Sequence, residues 1–144
     1  MRLRNSFANL EKVLHEYLDL QDRFFEDRNG RHELVREYKR RGWLPKPEYD
    51  KLAAEFDALI VVVDFYAAEL TRAANDLCEA VRETVHRSFR RVDGHLLVTS
   101  GPYGFFEYRT NLYVYTDGRR EYAGRDELLR KLGPEMSQRL AMAD

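Results

Sequence analysis

Apolar positions along the chain follow two periods. From Pro47 to about Arg91 they recur at alternating steps of four and three: Leu52, Phe56, Leu59, Val63, Tyr66, Leu70, Ala73, Leu77 and Ala80, the spacing of a heptad core. A second row, Ala53, Ile60, Ala67, Ala74 and Val81, widens that stripe to the face of a bundle helix. The pattern predicts one long amphipathic helix. Pro45-Lys46-Pro47 marks its start, because proline in a first turn gives up no needed donor, and Glu48 and Asp50 then meet the positive end of the helix dipole. Arg87, Arg90 and Arg91 ahead of Asp93-Gly94 mark its end. At about 1.5 Å per residue the run would reach roughly 67 Å, against a radius of gyration of roughly 14–15 Å for a compact chain of this length. A partner lying along the helix is one way to reconcile the two.

Before this helix, Leu3, Phe7, Leu10, Leu14, Tyr17, Gln21 and Phe24 keep the same spacing, broadened by Val13 and Leu20, and predict a first helix over Arg4–Asp27. Asn29-Gly30 is expected to end it, since both residues tolerate a left-handed helix terminus. A shorter helix over His32–Arg41 carries Leu34, Val35 and Tyr38, and Gly42 closes it. The turn through Trp43-Leu44-Pro45 leaves room only for a reversal, so the short helix should run antiparallel to the start of the long one.

After Asp93-Gly94 the period falls to two. Strands are expected at His95–Thr99, Phe105–Arg109, Leu112–Thr116 and Arg119–Ala123, with Ser100–Gly104 as a loop and Asp117-Gly118 as a type I′ turn. One face of this meander would collect Leu96, Val98, Phe106, Tyr108, Tyr113, Tyr115 and Tyr122. A last helix over Arg125–Leu132 would cover it and stop at Gly133-Pro134, and Met136, Leu140 and Met142 repeat a partly helical spacing beyond. The expected fold is α+β. Residues 1–91 form a long antiparallel helical hairpin or bundle of three N-terminal helices, and residues 92–144 a four-stranded antiparallel β-meander with a C-terminal helix.

Charge and composition narrow the function classes. The net charge is −1 and both halves are close to neutral, so neither carries a bulk attraction for nucleic acid or an anionic membrane. One cysteine, Cys78, excludes an internal disulfide. No apolar run reaches membrane-spanning length and the start of the chain lacks a signal-peptide core, which predicts a cytoplasmic protein with no membrane partner.

Candidate chemistry is sparse. Glu83-x-x-His86 matches the i, i+3 pair of carboxylate-bridged metal sites in helical bundles, but no second pair accompanies it, and the heptad phase turns His86 outward. Ser100 lacks the strand-turn-helix setting of a nucleophile elbow, and its loop lacks the glycines and lysine of a phosphate cradle. No catalytic residue, metal or cofactor is assigned. Arg109, Arg119, Arg120 and Arg125 interleave with Tyr and Phe as single-strand binders do, yet the aromatic face is also the natural core of the sheet.

The reading that follows is a non-catalytic interaction or adaptor protein. It would associate with itself as a homodimer, or with another protein, through the long helix at Phe56, Leu59, Ile60, Val63, Tyr66 and Leu70. Tyr103, Arg109 and Arg119 are the expected surface contacts of the head. A nucleic-acid-binding protein using the aromatic and arginine-rich meander is the alternative, and a small metal-dependent enzyme using Glu83 and His86 is the third reading.

Overall fold

The computed structural model describes residues 1–89, 94–116, 119–132, 134, 137 and 138. Its described elements are α1 (Arg2–Phe24), β1 (Phe25–Arg28), β2 (Arg31–Leu34), α2 (Glu37–Arg40), α3 (Lys46–Thr84), β3 (Leu97–Tyr103), β4 (Glu107–Leu112) and α4 (Arg125–Lys131). The chain divides into two compact units. The first unit joins Met1–Glu16 to Tyr66–Tyr122, and the second joins Tyr17–Phe65 to the stretch that begins at Ala123. Both α1 and α3 contribute residues to each unit.

The long helix is present with 39 residues, about 58 Å. It stops at Thr84 rather than near Arg91, and residues 90–93 lie outside the described part.

In the second unit, α1 gives way at Phe25 to a strand instead of continuing to Asp27. Asn29 and Gly30 both take positive φ, 51° and 73°, and form the two-residue turn of a hairpin in which Phe25 pairs with Leu34 and Arg28 with Arg31. An Asn-Gly pair fits two left-handed positions in a row, which a tight hairpin needs and a simple helix stop does not. The second predicted helix shrinks accordingly to Glu37–Arg40. Its Tyr38 packs edge-on against Tyr49 and Phe56, with centroids 5.4 and 5.6 Å away, which seats α2 on the start of α3. Leu20, Leu59, Val62 and Leu128 are buried in this unit.

In the first unit α1 and α3 run antiparallel, as the pairing of Arg2 with Asp76 and of Glu16 with Tyr66 shows. Tyr66, Ala73 and Ala80 are buried as the apolar stripe requires. Between them, Ala68, Glu69, Asn75 and Asp76 are also buried, while Leu70 and Leu77 are only partly covered. On α1 the same thing happens: Ser6 and Val13 are buried, whereas Phe7 and Leu14 of the predicted stripe are 60% and 40% exposed. Where burial and the apolar pattern disagree, the buried residue is the one just before the predicted position, so the seam is turned by part of a residue step, roughly 50°, from where hydrophobicity places it. Asp76 is matched by Arg2 and Ser6, and Glu69 by Arg72, and those partners allow the carboxylates inside.

The predicted four-stranded meander is replaced by a two-stranded hairpin. β3 and β4 pair antiparallel from Leu97↔Leu112 to Ser100↔Arg109, then through a bulge to Tyr103↔Glu107. Residues 113–116 and 119–123 are not strands, and the Asp117-Gly118 turn lies outside the described residues. Asn75 explains where the ladder stops. Its side-chain amide donates to the carbonyls of Leu96 and Tyr113 (3.1 and 2.9 Å), and its oxygen accepts from the Leu96 N–H at 2.7 Å. Leu96 and Tyr113 would be the next rung, so one side chain from α3 takes the bonds that would have continued the sheet. The last described helix, Arg125–Lys131, matches its predicted span to one residue, while the stop at Gly133 and the apolar residues Met136, Leu140 and Met142 lie outside the described residues.

Candidate functional site

The densest polar arrangement lies along the α1–α3 seam of the first unit. Arg2 places its guanidinium on the buried Asp76, donating to Oδ2 at 2.8 Å and lying 2.7 Å from Oδ1. Ser6 accepts from Arg2 at 2.8 Å and donates to Asp76 Oδ2 at 2.6 Å. Glu83, about two turns further along α3, meets Arg2 Nε at 3.3 Å. The hydrogen bond to Asp76 is the largest of the influences that hold the Arg2 guanidinium protonated even more firmly than usual. Deeper along α3, Glu69 is paired with Arg72 at 2.7 Å and approached by Arg119 at 3.6 Å.

Aromatic rings close over this layer from the side of β3 and β4. Arg72 sits over Tyr113 (5.1 Å), Arg119 over Tyr115 (5.7 Å) and Lys12 over Tyr122 (5.7 Å). Asn9 repeats the device used by Asn75: it donates to the Tyr115 hydroxyl at 2.9 Å and accepts from the Tyr122 N–H at 2.7 Å. Tyr66 donates to Glu16 at 3.1 Å beside the Tyr122 ring. Burial pushes the Tyr115 and Tyr122 hydroxyls above the ordinary tyrosine range.

A cleft of about 280 Å³ opens next to this network. Asn75, Asp76 and Glu79 form its α3 side, with His95, Tyr115, Thr116, Arg119 and Arg120 among the residues facing them. Its chemistry is restricted, because Asp76 already has both oxygens on Arg2 and Ser6, and Ser6 is 2% exposed. A nucleophile whose proton goes to a positioned base is not assembled there among the described residues. Ser88 and His86 do touch, at 2.7 Å, but as neighbours in an exposed turn beyond the end of α3. Glu83 is held by Arg2, and His86 lies past the last helical residue, so the two are not the i, i+3 pair of one helix. Among the described residues no cluster of three or more His, Cys, Asp or Glu is placed to hold a metal ion.

The expected association residues are divided between the units, with Phe56, Leu59, Ile60 and Val63 in the second and Tyr66 and Leu70 in the first. Leu59 and Tyr66 are buried within the chain, and Phe56 is covered by Tyr38 and Arg36. Ile60 is 41% exposed, and Val63 and Leu70 are partly so. In the head, Tyr103 lies under the Arg109 guanidinium at 4.4 Å, Arg109 pairs with Glu107 at 3.6 Å, and Arg119 turns toward Glu69.

Hydrophobic patterning pointed away from two surfaces. One is the outer side of α1 and α3 in the first unit. Seam positions 6, 13, 73 and 76 face the partner helix, and the residues just before them, Lys12, Arg72 and Asn75, carry the aromatic layer. Those one residue later, about 100° the other way, are Phe7, Leu14, Ala74 and Leu77. Antiparallel helices turn these later residues to the same side, so Leu3, Phe7, Leu10 and Leu14 of α1 share an apolar face with Leu70, Ala74, Leu77 and Val81 of α3. The other surface is the β3–β4 tip, where Phe105 is 100% and Phe106 84% exposed although Phe106 was expected to point inward. The buried carboxylates gave no hydrophobic signal, and the exposed leucines gave the signal of a core.

Among known proteins, the chain matches no family model, no curated protein sequence and no solved structure.

Proposed function

We propose that this chain is a non-catalytic association protein, and that its first unit pairs with a second copy through the apolar side of α1 and α3. The observation that carries this reading is the inversion of the helix pair. Its seam holds Arg2, Ser6, Glu69 and Asp76, while Phe7 and Leu14 stand 60% and 40% exposed on the side away from the aromatic layer. Leu3, Leu10, Leu70 and Leu77 flank them, each partly uncovered.

Magnitudes favour a pair of copies. Burying a large apolar side chain contributes about 1.5–3 kcal/mol, and association costs about 4–15 kcal/mol in lost freedom. Two or three such anchors would be marginal. In a two-fold contact every anchor counts twice, and the same surface supplies both sides. Leu70 belongs to this face and to the set expected from the heptads; Ile60 and Val63 extend the proposal to the second unit's part of α3.

The nucleic-acid alternative has less support, because Arg72, Arg109 and Arg119 each already cover a tyrosine and neighbour a carboxylate. Among the described residues no helix is long and apolar enough to cross a membrane.

Light scattering at tens of micromolar should give twice the chain mass. Phe7→Ser with Leu14→Ser should return the monomer mass while the far-ultraviolet spectrum stays the same. A monomeric parent chain, or a dimer that survives the double substitution, overturns the reading.

A further inference from the structure

We infer that the outer edge of β4 is a docking site for an extended segment of a different protein, which joins the β3–β4 sheet as its third strand. The sheet has two strands, and among the described residues no strand pairs with β4 on the side away from β3. Every residue of β4, Glu107–Leu112, is exposed. The phase of the ladder shows which backbone groups that edge offers. Leu96 and Tyr113 turn backbone groups inward, onto Asn75, where the next rung would lie. Asn111 and Arg109 share the phase of Tyr113, so their backbone groups face Val98 and Ser100 across the hairpin. Tyr108, Thr110 and Leu112 alternate with them, and each therefore directs its N–H and C=O to the open side. The threonines agree with this phase. The Thr99 and Thr110 hydroxyls lie 2.9 Å apart, in keeping with the closer side chains of a rung that lacks backbone bonds.

Exposed edges are ordinarily blunted by proline, lysine or a bulge. β3 has such features, with Gly101-Pro102 and a shift of register between Ser100 and Tyr103. β4 has neither proline nor lysine, and its strand runs unbroken. The edge is also formed in advance. A Cβ at Gly101 would stand 2.7 Å from the Glu107 carbonyl oxygen, so β3 lies close against the inner side of β4 and holds it straight. Little ordering of the hairpin is then required when a strand is added.

The chemistry of the edge selects its occupant. A row of alternating N–H donors and C=O acceptors is matched by another extended backbone, whereas phosphates or a lipid surface would leave the carbonyls without donors. Side chains narrow the class. Tyr108, Thr110 and Leu112 share one face of the sheet with Leu97 and Thr99, and Leu97, Tyr108 and Leu112 are all more than half exposed. The incoming segment therefore carries aromatic or β-branched residues at every second position, where they lie beside these side chains. Its intervening residues are polar and need no net charge, because Glu107 and Arg109 on that face are already paired at 3.6 Å. A second copy is the other source of a strand. The helix-face pair proposed above is closed, and a second two-fold contact on another surface would join such pairs into larger assemblies. The choice of a different protein rests on that reading; the open edge does not.

The test selects a phage-displayed library of random peptides on the immobilised full chain and synthesises the recovered sequences with a fluorescent label. Expected are peptides with aromatic or β-branched residues at alternate positions. Methylating their backbone nitrogens one at a time should weaken binding about tenfold at every second residue, the loss of one hydrogen bond, and leave it nearly unchanged between. That alternation is read without altering the protein. Thr110→Pro, which removes an N–H on the open side, should also weaken binding about tenfold. Phe7→Ser/Leu14→Ser and Phe105→Ser/Phe106→Asn should each leave it within about twofold, since neither touches the edge. No recovered peptide, a methylation series without alternation, or binding that is lost with Phe105→Ser/Phe106→Asn and kept with Thr110→Pro overturns the inference. So does a Phe7→Ser/Leu14→Ser chain that remains a dimer until Thr110→Pro is added, which would give the edge to a second copy. A monomeric parent chain that binds the peptides with the expected alternation would end the helix-face reading and still support this one.

Discussion

Arg2 and Asp76 show how much a single residue decides here. The Asp76 side chain is 5% exposed, and its charge is matched by a guanidinium from the other helix. Breaking a buried pair by removing one partner costs about 3–5 kcal/mol, so Arg2→Met should lower the unfolding free energy by about 3 kcal/mol in urea titrations. Replacing both, Arg2→Met with Asp76→Leu, should recover most of that loss, because an apolar pair of similar volume leaves no charge stranded. Asn75→Ala removes three hydrogen bonds to the backbone of Leu96 and Tyr113. At about 0.5–1.5 kcal/mol each, the loss should reach roughly 2–4 kcal/mol, and amide exchange at Leu96 should speed up first. The tyrosines set the alkaline limit. Tyr115 and Tyr122 ionise above the unfolded tyrosine value because they are buried, so the unfolded chain loses its protons first as the pH rises. Their stabilising contribution is therefore complete below about pH 10 and declines above it as the pH climbs toward the folded values. Tyr122→Phe should flatten that decline in a series of melting temperatures from pH 8 to 11.

At the scale of elements, two short turn sequences have different weight. Asn29-Gly30 carries the same signal as Asp117-Gly118, yet it follows a strongly periodic helix, and the periodicity favours reading it as a helix stop. What decides is that the chain returns antiparallel, so that Phe25 faces Leu34 and the Val35 N–H reaches the Phe24 carbonyl at 2.9 Å. Gly30 has φ 73° and open space around its α-carbon, so Gly30→Ala meets no atom and pays only for the backbone conformation. That should cost about 1–2 kcal/mol, read as a lower melting temperature with an unchanged far-ultraviolet spectrum. The long helix was legible almost in full. Its start is set by the proline pair, and its early stop is marked by the Val85 and His86 N–H groups both turning to the Val81 carbonyl. The β-hairpin was legible as alternating sequence, but its neighbours were not. Asn9 and Asn75 replace strand bonds with side-chain bonds, and nothing in local periodicity shows a distant asparagine.

For the whole molecule the proposal is association. If the apolar side of α1 and α3 is covered by a second copy, the double substitution Phe7→Ser/Leu14→Ser should halve the mass and change the monomer's own stability by no more than about 0.5 kcal/mol, as exposed positions do. Phe105→Ser/Phe106→Asn is expected to be equally harmless to folding, since both rings are almost wholly exposed. Of the association residues expected from the heptads, Leu59 and Tyr66 are used inside the chain, while Ile60 remains 41% exposed. Heptad spacing identifies which helices are two-faced. It does not say which of two adjacent rows turns inward when one of them is rich in polar residues that have partners.

By itself the amino-acid order determined that a long helix runs from the proline pair, that another helix precedes it, that alternating strands follow Gly94, and that Arg125–Lys131 is helical. These properties depend on local periodicity and on caps, which are decided within a few residues. Tertiary structure alone decided the roles of the faces. Arg2 and Ser6 meet Asp76 from 74 and 70 residues away along the chain, and once their polar groups are satisfied together they can occupy the seam. Leucines and a phenylalanine that hydrophobicity would have placed there, Phe7 and Leu14 among them, are then turned outward, and a second copy is the cover we propose for them.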